Sequence, residues 1–148
     1  MEMILISEIL TIGILATLAM TAISYVFTYI FKGNFKEPQL LNCLIDRLPK
    51  VRRPICREHI YGWSIHFFIG ILFVILFKIC LLYNVADVTL KAGAVFGFLA
   101  GVVGVAGWIT FFSLHPDPPS INKPMFFSQL IFVHIIFGIV MVELMGAV

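Results

Sequence analysis

"IYGWSIHFFIGILFVILFKICLLY", residues 60–83, contains a single formally charged side chain, Lys78. About 20 mostly apolar residues cross the hydrocarbon core of a bilayer as a helix, and this run exceeds that length. Lipid offers no partner for unpaired backbone N–H and C=O groups, so a spanning segment must satisfy them within itself. The run does not alternate apolar and polar positions as a barrel strand would, which leaves the helix.

Three further runs share this character: about Ile4 to Phe31, Leu90 to Leu114 and Phe126 to Ala147. The expected fold is therefore all-α and integral to a membrane, with four transmembrane helices in a single domain over residues 1–148. Composition agrees. The chain is 61% hydrophobic and 12% charged, with mean hydropathy +1.05. Soluble domains average about 45–50% apolar and about 25% charged. The apolar core of the first run is preceded by Glu2 and Glu8 rather than a basic stretch, and no small-residue cleavage site follows. It reads as a true spanning helix and not a signal peptide.

The basic residues are unevenly placed. Seven of the ten Lys and Arg lie between the first two runs: Lys32, Lys36, Arg47, Lys50, Arg52, Arg53 and Arg57. Lys123 falls on the same side. The positive-inside rule places this side in the cytoplasm and both termini outside. Within the long loop, "EPQLLNCLIDRLP" begins with Pro38 and ends at Pro49. Leu40, Leu41, Leu44, Ile45 and Leu48 recur at helical spacing, so residues 38–48 read as a short amphipathic helix on the cytoplasmic membrane surface. Arg47, Lys50, Arg52, Arg53 and Arg57 suit contact with anionic lipid headgroups. No interleaved aromatics or reader fold accompany them, so nucleic acid is not an expected partner.

The third run is a ladder of small residues, with Gly93, Gly97, Gly101, Gly104 and Gly107 close to one face. In membranes such residues let helix backbones approach closely. Its alternative use is a groove for a flat ligand: a porphyrin, a quinone or an acyl chain. "GILATLAMT" at 13–21 echoes "GVVGVAGWI" at 101–109, and "HFFIG" at 66–70 echoes "HIIFG" at 134–138. The chain thus reads as two helical hairpins in tandem, a parallel repeat.

The echo makes His66 and His134 a matched pair at similar depth on the basic side. Three roles follow. Both imidazoles can ligate haem b axially, with Gly70 and Gly138 leaving room for the ring. With His115 and Asp117 they can hold a transition metal or relay protons. Or each ring bonds a neighbouring Ser64, Ser113, Ser128, Gln129, backbone carbonyl or water and joins helices. At the opposite end, Lys78, Glu143 and Glu8 are candidates for an ion pair that lowers the cost of charge near lipid.

"LHPDPPSINKP", residues 114–124, is a stiff turn. His115 and Asp117 there have acid–base chemistry but no nucleophile beside them, and no P-loop or dinucleotide fingerprint occurs. Cys43, Cys56 and Cys80 form neither a disulfide framework nor a zinc spacing.

Through "GILATLAMT", "EPQLLN", "GWSIHFFIG" and "LHPDPP", the chain resembles uncharacterised small four-helix inner-membrane proteins of bacteria. The resemblance implies a bacterial inner-membrane location and no particular activity. The expected function is non-enzymatic: an accessory or packing subunit of a larger membrane complex, in contact with lipid and with other subunits or further copies of itself. The alternatives are a bis-histidine haem b electron carrier and a small transporter handling metal or protons.

Overall fold

The computed structural model describes residues 2–48 and 58–147 and holds five α-helices. They are α1 (Glu2–Phe31), α2 (Glu37–Asp46), α3 (Ile60–Leu82), α4 (Leu90–Leu114) and α5 (Lys123–Ala147). Four of them, α1, α3, α4 and α5, are long and apolar enough to cross a membrane. The last begins earlier than the apolar run suggested. Lys123 and Pro124 form its first turn, where proline's missing N–H is no loss, and Asn122 Oδ1 accepts from the Met125 N–H at 3.2 Å.

The other ends are also set by local chemistry. Thr89 caps α4 by accepting from the Ala92 N–H. His59 caps α3 through Nδ1, which accepts from the Tyr61 N–H. Past α3, Asn84 takes a φ of 55° and the Val85 N–H reaches back to the Cys80 carbonyl at 2.9 Å. That left-handed residue closes the helix end, and asparagine tolerates it better than most.

Within the bundle α1 and α5 are central. α1 packs on α3 and α5, and α4 packs most extensively on α5. α3 and α4 scarcely meet. Their contact is aromatic, with Phe96 of α4 edge-on to Phe73 and Phe77 of α3 at 6.4 and 5.1 Å between centroids. One core cluster, including Ile12, Ala16, Val74, Phe77, Val133 and Phe137, fills the space between α1, α3 and α5. A second, near α2, joins Phe35, Leu40, Leu41 and Leu44 to Trp108, Phe112, Phe126 and Leu130.

The second cluster corrects the reading of α2. The apolar face of this helix is covered by the bundle rather than left open to lipid. Glu37, Pro38, Gln39, Leu40, Leu41, Asn42 and Leu44 are all buried, and the helix closes one end of the bundle. Asn42 clamps it to the start of α3, accepting from the Gly62 N–H at 2.8 Å and donating to the His59 carbonyl at 2.7 Å. A Cβ at Gly62 would strike the Pro38 carbonyl, so glycine is required at this crossing. Leu48, expected on the apolar face, lies beyond the helix and is exposed. Arg47 pairs with Asp117 at 3.5 Å and reaches the Pro118 carbonyl, tying α2 to the α4–α5 turn. Lys50, Arg52, Arg53, Arg57 and Cys56 lie outside the described residues.

The glycines of α4 divide into two groups. At Gly93, Gly97 and Gly101 a Cβ would meet α5: the Gly138 carbonyl, the His134 carbonyl and Ile131 Cα. These three pack helix against helix inside the chain. A Cβ at Gly104 would find only ordinary contact with the His134 ring and Leu130, and one at Gly107 would meet nothing within 4 Å. Gly107 thus faces open space, and Gly104 is the looser of the packed positions.

Gly70 and Gly138 are also packing positions. A Cβ at Gly70 would strike the Thr17 hydroxyl and approach the Gly13 carbonyl at 3.5 Å. A Cβ at Gly138 would strike the Gly93 carbonyl and come within 2.9 Å of the Gly97 nitrogen. The correspondence is informative. Gly70 meets Gly13 and Thr17 as Gly138 meets Gly93 and Gly97. In space "GILATLAMT" at 13–21 therefore matches "GAVFGFLAG" at 93–101, not the later stretch that the sequence echo suggested.

Candidate functional site

The space left by Gly104 and Gly107 is part of a cavity of about 210 Å³ near the α2 end. All five helices contribute to its wall. His66, Ile69, Gly70 and Phe73 come from α3, and Leu130, His134 and Phe137 from α5. α4 adds Val103, Gly104, Gly107, Trp108 and Phe111, α1 adds Thr17 and Met20, and α2 adds Glu37 and Leu41. On the side away from α2, Phe73, Phe77 and Phe96 close the gap between α3 and α4. Toward α2 the same gap is flanked by the exposed Ile69, Val103 and Phe111.

Both histidines thus reach one cavity, and both are buried, at 8% and 7% exposure. Their hydrogen bonds assign the ring tautomers. Thr21 donates its hydroxyl to the Thr17 carbonyl at 2.7 Å, so its oxygen is left to accept from His66 Nε2 at 2.9 Å. His66 therefore carries its proton on Nε2 when neutral. His134 Nδ1 lies 2.8 Å from the Leu130 carbonyl, which only accepts, so His134 carries its proton on Nδ1. Its Nε2 lone pair faces the cavity beside Gly104, with no hydrogen-bond partner among the described residues.

A third polar group forms part of the same wall. Glu37, in the first turn of α2, is 2% exposed. Its Oε1 accepts from Ser24 Oγ at 2.8 Å and from Gln129 Nε2 at 3.3 Å, and Gln129 Nε2 also donates to Ser24 Oγ at 2.7 Å. This triad joins α1, α2 and α5. Burial pushes the Glu37 carboxyl up to about 7, against the pull of these hydrogen bonds. Among the described residues two buried oxygens have no partner, Glu37 Oε2 and Gln129 Oε1. Leaving such atoms unpaired costs about 1–3 kcal/mol each.

Ser24 and Glu37 were not singled out from the sequence, and Gln129 only as one possible partner for a histidine. A signal existed: Thr17, Thr21, Ser24 and Thr28 recur at spacings of four, three and four, one polar stripe on an otherwise apolar helix. Glu37 directly before Pro38 marks a helix start, where an acidic residue is favoured. Nothing in the sequence indicates that it turns inward.

The remaining candidates are dispersed. His115 Nε2 donates to the Leu44 carbonyl at 2.8 Å and its Nδ1 accepts from the Asp117 N–H at 3.1 Å, so both nitrogens are occupied in holding the α4–α5 turn on α2. No group of three His, Cys, Asp or Glu side chains among the described residues is placed to hold a metal ion. The structure does not bring His66, His134, His115 and Asp117 together as one set.

Haem b meets two obstacles. His66 Nε2 is engaged by Thr21, and about 210 Å³ is below the roughly 300–1,000 Å³ of pockets for drug-sized ligands. Gly138, meant to make room for the ring, is spent on the α4 backbone. Ser113 and Ser128 bond carbonyls of their own helices, at Ile109 and Pro124, and Ser64 is exposed, so none of them serves a histidine. At the other end Lys78 pairs with Glu8 at 2.7 Å, not with Glu143, which is exposed on α5.

Comparisons of the chain with protein-family models, with curated proteins and with solved structures gave no match.

Proposed function

We propose that this protein binds a small lipid-soluble molecule that enters from the bilayer between α3 and α4. One observation carries the reading: an apolar cavity with two histidines and a glutamate in its wall, flanked toward α2 by side chains that face outward from the bundle. Lipid-soluble ligands reach such a cavity without crossing water, and a few polar groups in an apolar wall are the usual means of orienting them. The expectation of an accessory subunit leaned on a glycine-rich packing face, small loops and the lack of a catalytic constellation. Gly93, Gly97 and Gly101 are occupied by α5 of the same chain, so that support moves to the cavity instead.

The distribution of Lys and Arg supports placing the α2 end in the cytoplasm, both termini outside, and the site in the cytoplasmic half of the membrane, and the resemblance suggests a bacterial inner membrane. The test is extraction. Protein purified in mild detergent is denatured in organic solvent, and the released small molecules are compared with those from Gly107→Leu, which fills the cavity. A species stoichiometric with the wild-type chain and depleted in the variant supports the reading. Identical extracts from the two overturn it.

A further inference from the structure

The cavity and its Glu37 wall leave acceptor atoms unpaired among the described residues. His134 keeps its proton on the nitrogen bonded to Leu130 and turns the lone pair of Nε2 toward Gly104. Glu37 Oε2, an acceptor once the carboxyl is ionised, is buried without a partner among the described residues, and so is Gln129 Oε1 in the same triad. The hydroxyl and imidazole donors nearby are already spent: Ser24 Oγ on Glu37, Thr17 and Thr21 on carbonyls of α1, and His66 Nε2 on Thr21. A wall of unpaired acceptors is unfavourable when the site is empty and complementary to a molecule that brings hydrogens.

We infer that the ligand is an apolar molecule with a hydrogen-bond-donating head, a hydroxyl or an amine, read by Glu37 and by Nε2 of His134. This rests on the binding reading above and adds the chemistry of the head. An ester, ether or hydrocarbon of the same length fits the apolar wall equally well but leaves the acceptors unpaired. A ligand of that kind loses the differential binding that a polar site provides. The apolar tail follows the gap between α3 and α4 past Ile69, Val103 and Phe111 toward lipid.

Trp108 lies in the cavity wall and is one of only two tryptophans, so it serves as the probe. In a Trp63→Phe background, quenching of Trp108 is titrated with a bromoalkanol and with its methyl ether of equal chain length. The expected result is saturable quenching by both, with the alcohol bound about tenfold more tightly, as one to two hydrogen bonds to a charged or buried acceptor provide. The preference should shrink to within about twofold in Glu37→Leu.

Equal affinities in the otherwise wild-type chain overturn the donor inference and leave the cavity reading standing. A preference that survives in both Glu37→Leu and His134→Phe overturns the assignment of the acceptors. No saturable quenching by either probe, with Gly107→Leu behaving as its parent, overturns the binding reading itself. The alcohol-to-ether ratio needs no variant at Glu37, so misfolding of Glu37→Leu does not rescue the inference.

Discussion

The hairpin of α1 and α3 and the hairpin of α4 and α5 are built on one plan and differ at the positions that matter for the site. In both, a glycine one turn beyond a histidine nests on the preceding helix, Gly70 on Gly13 and Thr17, Gly138 on Gly93 and Gly97. Where the first hairpin has Thr17 and Thr21, the second has Gly97 and Gly101. The exchange has two consequences. Glycine lets α4 press its backbone onto α5, and this is the more extensive of the two interfaces. It also removes the hydroxyl that satisfies His66 across the helix interface, so His134 turns to a carbonyl of its own helix and frees its other nitrogen for the cavity. A hydroxyl in one copy makes a joint between helices. Its absence in the other leaves a binding group.

The strongest way to break this comparison is at Gly97. A Cβ there would strike the His134 carbonyl, and Gly97→Leu must separate α4 from α5. Overpacking typically costs about 1–3 kcal/mol and more where backbone has to move, so a loss at or above that range is expected in thermal unfolding in detergent. A melting temperature unchanged from wild type would remove the close α4–α5 contact from the account.

Next in size is the Glu37 carboxyl, the tie between the two hairpins and α2. Its value of about 7 lies above the ordinary 4.5, so the folded state holds its proton more tightly than the unfolded chain. Stability from this group is therefore full below about pH 4.5 and is lost as pH rises through about 7, by up to about 3 kcal/mol. Unfolding followed between pH 4.5 and 8 should show that decline in wild type and a flatter profile in Glu37→Gln. Matching slopes would mean that Glu37 does not titrate in this window.

A smaller effect tests the joint itself. Thr21→Val keeps shape and removes the acceptor for His66, at an expected cost of about 1–3 kcal/mol. Gly101→Ala, at the matching position of α4, acts instead through crowding of Ile131 Cα at 2.9 Å. Adding His66→Phe should recover part of the Thr21→Val loss, because it removes the orphaned N–H, and a double-mutant cycle measures this coupling. Additive losses would disprove the bond. Least of all, Gly107→Ala should change stability by no more than about 0.5 kcal/mol, since a Cβ there meets nothing, whereas Gly104 and Gly101 are progressively tighter. A melting series along Gly107, Gly104, Gly101 and Gly97 should fall in that order.

Much of the architecture was legible before any coordinates. A run such as residues 60–83 has no stable state in lipid other than a helix, because its backbone groups find partners nowhere else. The four spanning helices, the proline-started α2 and the pairing of the two His-x-x-x-Gly stretches all follow from length, punctuation and period. The register of the echo did not. Small residues recur so often in α4 that several alignments with α1 look alike, and only the contacts of Gly70 and Gly138 choose among them.

What the sequence determined by itself was the solvent of each segment and which side chains are expensive there: His66, His134, Lys78 and Glu8. What only the tertiary structure decided was how each is satisfied and which is left over. α2 was readable as amphipathic, but an apolar face does not say whether lipid or protein covers it. In the fold it plugs the bundle and carries Glu37 inward to Ser24 and Gln129. The glycines of α4 were readable as a stripe, but a missing side chain is equally compatible with a touching helix and with empty space. The physical reason is common to both. Periodicity reports the direction in which a residue points, whereas a binding site depends on what stands opposite, and that partner comes from a helix distant in sequence.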